Sequence, residues 1–189
     1  MTEQKHFIKK QPGKSFLTVK TLAFSGVFAA LIALSTMLNI PTGTGYVNLG
    51  DGVILACAYL LGPIAFFPAA IGSALADLLL GYPLYIPGTF IIKGCMGLFA
   101  GWMLKKEELP FLKPLFKNKA KGFSFFFVCL FSYIVSELFM VSGYFLYSSL
   151  FLKGWLNALG SVVSNLGQGV AGVLLAFLLQ PVVSKIKKI

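Results

Sequence analysis

Arginine is absent from this chain of 189 residues: all sixteen basic residues are lysines, against six acidic ones. A nucleic-acid partner would draw on arginine forks for phosphates and base edges, so the formal charge of +10 does not point to nucleic acid. Histidine occurs once, at His6, and Cys57, Cys95 and Cys129 stand apart with no CxxC spacing. Zinc ligation and Cys–His catalysis lack their side chains. No metal, cofactor or catalytic residue is therefore expected, and the cysteines read as small core residues. No GxxxxGK[ST] phosphate loop occurs, and no polar block is long enough for a second domain. An ATPase site of its own is not expected. Charge itself is scarce, at 12% of residues where about 25% is usual in soluble domains.

What replaces it is apolar sequence: 57% of residues are hydrophobic. The composition is that of an integral membrane protein. About 20 apolar residues cross a bilayer, with about 17–25 tolerated. On that measure six spans are expected, near 19–38, 52–61, 65–80, 88–104, 123–147 and 156–183. The second has about ten residues and turns at Gly62 and Pro63 into the third. The first, from Leu22 to Leu38, lacks a small-residue cleavage pattern and reads as a retained span rather than a signal peptide.

The lysines test this layout. Five lie within residues 1–20, six within 105–121, and three are Lys185, Lys187 and Lys188. An even number of spans puts all of these on one side, leaving Lys153 outside and Lys93 buried. The positive-inside bias thus predicts an all-α integral membrane protein: a six-transmembrane-helix bundle with both termini cytoplasmic, in the cell membrane. Residues 1–16 form a tail, 17–184 the membrane domain, and 185–189 a second tail.

Charges in that domain are costly and are expected to pair or to serve a ligand. Ser73, Asp77 and Gly81 share a small polar stripe at helical spacing with Ala70 and Ala74. Glu137 shares a face with Tyr133, Met140 and Tyr144, and Asn165 with Gln168, Gly169 and Gly172. Lys93 sits a turn inside the fourth span. Two outer segments, "NIPTGTGYVNLGDG" and "GYPLYIPG", bring Asn48, Asp51, Tyr82 and Tyr85 to the same side. All these groups cluster toward the outer face, which predicts a polar pocket for a small hydrogen-bonding ligand. The competing reading is an Asp77–Lys93 or Glu137–Lys93 ion pair that only locks helix packing. A membrane enzyme using Asp77 and Glu137 lacks a nucleophile. A non-transport assembly protein with paired charges is the other alternative.

The stretch from Tyr46 to Gly101, with "NLGDG", "GSALADLLLGYP" and "TFIIKG", resembles the S components of energy-coupling factor (ECF) vitamin transporters. More narrowly, it is similar to their hydroxymethylpyrimidine or pyridoxine subfamily. The resemblance implies a non-enzymatic subunit that binds a small water-soluble vitamin or precursor from outside. It further implies docking on a transmembrane coupling subunit carried by two ATPases. The family's A-x-x-x-A docking motif falls on Ala29 and Ala33 in "FAALIALS", where small residues permit close helix approach. The expected pocket wall is Asn48, Asp51, Asp77, Tyr82, Tyr85, Lys93, Glu137, Asn165 and Gln168. Pyridoxine could place its ring nitrogen on an aspartate and its phenolic oxygen on Lys93, and an aminopyrimidine could donate to a carboxylate. A riboflavin-type S component is the alternative within the family.

Overall fold

The computed structural model describes residues 18–42, 45–105, 121–152 and 154–186. Among the described residues six α-helices follow in chain order: α1 Val19–Met37, α2 Gly50–Leu61, α3 Phe66–Leu79, α4 Ile86–Lys105, α5 Lys121–Tyr147 and α6 Trp155–Ile186. Thr18 caps α1, its hydroxyl accepting from the Thr21 amide at 3.1 Å, which satisfies one of the free donors of the first turn. Five runs are long and apolar enough to cross a membrane, among the described residues, with α2 and α3 together forming one 30-residue run.

That run is bent. Gly62 has φ 64°, a left-handed conformation that favours glycine, and Gly62–Ala65 forms a short 3-10 turn. At about 1.5 Å per residue, α2 and α3 span only about 18 and 21 Å, short of an apolar layer of about 30 Å. They run in opposite directions. Asn48, just before α2, and Asp77, near the end of α3, border one cavity. The turn between them packs at the far end, where Gly101 has no side chain because the Gly62 backbone stands there.

Small residues set these approaches. A Cβ on Gly72 of α3 would strike the Ala29 carbonyl of α1, and one on Gly97 would come within 2.9 Å of the Ala65 carbonyl. Dispersion contacts between such close helices replace a hydrophobic drive that lipid cannot supply. Buried between them are Ile32, Ile54, Leu55, Ala69, Met96 and Tyr133, all fully covered. The outer surface carries Leu34, Phe67, Ile71, Phe131, Leu174 and Leu178. Such a surface is suited to acyl chains.

A two-stranded antiparallel hairpin, β1 Asn39–Thr42 and β2 Gly45–Asn48, corrects the purely helical expectation. The segment expected as irregular turns instead pairs its backbone, Asn39 opposite Asn48 and Ile40 opposite Val47. Pairing explains how non-helical chain can line a cavity at this depth. The Asn48 side chain then accepts from the Gly50 amide at 3.0 Å, an Asx-type turn that leads into α2.

Six elements meet at the cavity: the last turn of α1, the end of β2, the end of α3, the start of α4, the end of α5 and the first half of α6. The opposite end gathers Lys20 with Leu61 and Ile186, and it holds the Lys105 end of α4 and the Lys121 start of α5. Lys185, in the last turn of α6, lies there too. The remaining tail and loop lysines expected on that side, and Lys153, lie outside the described residues.

Candidate functional site

The cavity measures about 400 Å³, within the range of about 300–1,000 Å³ typical of small-ligand sites. α3 supplies Ser73 and Asp77, four residues apart and so on one face. Asp77 is 4% exposed, and one of its carboxylate oxygens has no hydrogen bond. The Thr89 hydroxyl of α4 lies beside this carboxylate and shares a hydrogen bond of 2.9 Å with the Tyr144 hydroxyl of α5. Tyr82 and Tyr85 stand edge to face in the turn before α4. One helical turn beyond Thr89, Lys93 brings its ammonium to 5.3 Å from the Tyr144 ring centre, a cation–π distance.

Lys93 pairs with Asp51 of α2. This corrects the partners named in the competing ion-pair reading: neither Asp77 nor Glu137 bridges to Lys93 among the described residues. Gln168 of α6 completes the arrangement. Its Nε2 donates to Asp51 Oδ2 at 2.7 Å, and its Oε1 accepts from Asn48 Nδ2 at 3.0 Å. Asn48, Gln168, Asp51 and Lys93 thus form one continuous buried network. A buried ion pair holds only when its remaining lone pairs are bonded, and the Gln168 amide meets that need.

Seven of the nine expected wall residues border the cavity: Asn48, Asp77, Tyr82, Tyr85, Lys93, Asn165 and Gln168. Asp51 and Glu137 do not. Asp51 is fully buried beneath the floor, in the first turn of α2. Glu137 faces an apolar groove between α5 and α6 with Ile134, Leu138 and Val170. The wall also includes Thr36, Ser148, Ser161 and Ser164, with Thr89 and Tyr144, which the sequence reading did not select. Helical spacing carried a signal for some of them. Thr89 precedes Lys93 by four residues, and Ser161 and Ser164 precede Gln168 by seven and four. Ser148 sits at the start of a π-helical turn, Ser148–Leu152, where α5 widens, and nothing in the sequence pattern announces that.

On α1, Ala33 is 5% exposed and Ala29 is half-buried. The side of α1 that carries the Ala29 carbonyl is packed against Gly72 of α3. Ala30 and Gly26 face outward, with open space over Gly26.

A polar cavity at one end of an apolar helical bundle is the geometry against which the relatives can be weighed. The family model described as "ECF-type riboflavin transporter, S component" matches residues 16–185. The chain belongs to that family. Members of this family are S components of transporters, and the five described runs long and apolar enough to cross a membrane fit a multi-pass membrane protein. Among curated proteins, a stretch of 78 residues is 42% identical to a Pyrococcus woesei protein described as an uncharacterized protein in a gap 3' region. The match covers 39% of this S component and 52% of that protein. The S component therefore spans about half the length of the relative it matches.

Proposed function

We propose that this S component captures a small nitrogen-heterocyclic vitamin or precursor, pyridoxine or hydroxymethylpyrimidine, in the cavity bounded by Asp77 and Lys93. The observation that carries the reading is the bare, buried Asp77 oxygen facing a polar cavity of about 400 Å³. A carboxylate in that position asks for a donor. A pyridine ring nitrogen carrying a proton, or an aminopyrimidine amino group, supplies one, while hydroxyl oxygens of the ligand reach Lys93, Asn165 and the surrounding serines. The tyrosines at the mouth, Tyr82 and Tyr85, offer aromatic faces and edges for the ring.

In this reading the S component crosses the membrane six times, the short α2 together with the hairpin that precedes it and the short α3 together with the turn that follows it. The cavity opens outward and both chain ends lie in the cytoplasm. The gathering of Lys20, Lys105 and Lys185 at the end away from the cavity supports that orientation. Uptake is driven by a separate transmembrane coupling subunit with two ATPases. The S component meets it along α1, where Gly26, Ala29 and Ala30 keep the outer side low, while Ala33 holds α1 on the bundle.

A riboflavin-type substrate is the second reading, favoured by the description of the matching family. Equilibrium binding of pyridoxine, hydroxymethylpyrimidine and riboflavin to the purified S component separates the two. Tighter binding of either small heterocycle is the expected result. Binding of riboflavin alone overturns the preference.

A further inference from the structure

Glu137 is 5% exposed, and among the described residues neither of its carboxyl oxygens has a hydrogen-bond partner. On one side it meets the apolar groove, whose leucines and valines offer no donor. On the other it lies against α6 and α2. The point where a Cβ on Gly172 would stand touches Glu137 Oε1 and is 2.9 Å from Asp51 Cβ. The absence of side chains at Gly169 and Gly172 makes room for this carboxyl, and that room brings it against Asp51. The charged groups facing it are Asp51 and Lys93. Two carboxyl groups thus stand together with one ammonium between them and the cavity.

Two carboxylates offer each other only acceptors, so the contact closes as a hydrogen bond only with a proton on one of them. Asp51 already takes Lys93 on one oxygen and Gln168 on the other, and so serves as the acceptor. We propose that Glu137 carries a proton that it donates to Asp51, and that this acid pair positions Lys93 and Gln168 from beneath the ligand site. Glu137 and Asp51 touch no ligand in this arrangement. They are positioning residues. The count of charges follows: Asp51 and Lys93 neutralise each other, Glu137 is neutral, and Asp77 is left as the uncompensated charge facing the cavity among the described residues. The ligand that fits is one bringing a positive or strongly donating nitrogen to Asp77, which deepens the proposed vitamin reading and rests on it.

Infrared spectroscopy of the purified, ligand-free S component tests the proton directly. The C=O stretch of a protonated carboxylic acid should be present in the wild type, vanish in Glu137→Gln and survive in Asp77→Asn. Pyridoxine binding then tests the positioning role. Glu137→Gln, whose amide can still donate to Asp51, should keep affinity within about threefold of wild type, a change below 1 kcal/mol. Glu137→Leu and Asp51→Asn should each weaken it roughly ten- to a hundredfold, as expected for a displaced charge-assisted contact. A band untouched by Glu137→Gln, or affinity lost equally in Glu137→Gln and Glu137→Leu, overturns the proposal. The infrared arm needs no ligand. If wild type fails to bind pyridoxine but the Glu137 band is present, the vitamin assignment falls and the acid pair stands.

Discussion

Replacing Asp77 by asparagine separates a ligand-binding carboxylate from a structural one. Asp77 is 4% exposed and, among the described residues, has one oxygen without a hydrogen bond and makes no ion pair. Removing its charge therefore breaks no internal bridge, and the ligand-free variant should be as stable as wild type or more so. Lys93→Met provides the contrast. It strands Asp51 as a buried unpaired carboxylate, a change that typically costs about 3–5 kcal/mol. Binding should fall in both. Losing a charge-assisted hydrogen bond costs about 1.5–3 kcal/mol, or roughly ten- to a hundredfold in Kd. A thermal-shift titration reads both quantities together. Ligand at about a hundred times the wild-type Kd stabilises by about 2.7 kcal/mol, and the same concentration stabilises a tenfold or hundredfold weaker variant by only about 1.4 or 0.4 kcal/mol. The expected pattern for Asp77→Asn is an unchanged ligand-free Tm with a much reduced ligand shift. If Asp77→Asn unfolds as readily as Lys93→Met, or keeps the full ligand shift, Asp77 is not the ligand's partner.

Gly72→Leu should destabilise by about 1–3 kcal/mol through overpacking, because its side chain must displace the Ala29 carbonyl and part α1 from α3; thermal unfolding compared with Gly26→Leu, which has open space, checks it. Ala29→Leu should weaken co-purification with the coupling subunit and block uptake while leaving ligand affinity near wild type. Loss of ligand binding with intact assembly would remove α1 from the docking role. Cysteine labelling at Lys113→Cys and Lys153→Cys, with Cys57, Cys95 and Cys129 replaced, should report opposite membrane sides. Equal labelling of both from outside would refute the six-crossing orientation.

Much of the architecture was legible because hydropathy and helical period are local properties. Each long apolar run became a helix, and the short apolar run before Gly62–Pro63 became the half-length α2. The clustering of polar residues at one end and lysines at the other was likewise readable along the chain, since each span needs only its own composition to show where its ends lie. Tertiary structure decided the partners. Lys93 finds Asp51 across 42 positions and Gln168 finds Asp51 across 117, whereas the sequence placed Lys93 toward a ligand and, in the competing ion-pair reading, toward Asp77 or Glu137. Period tells which face of a helix a side chain occupies but not which neighbour that face meets. That depends on how α2, too short to cross alone, tucks between α1, α4 and α6. The hairpin escaped for a related reason: its Gly, Pro and Thr residues read as a turn, and only strand pairing and its packing on α6 make it regular. Sequence thus determined that this is a helical membrane protein with a polar end. The packing of α2, α3, α4, α5 and α6 determined that Asp77 faces the cavity while Asp51 and Glu137 stay beneath it.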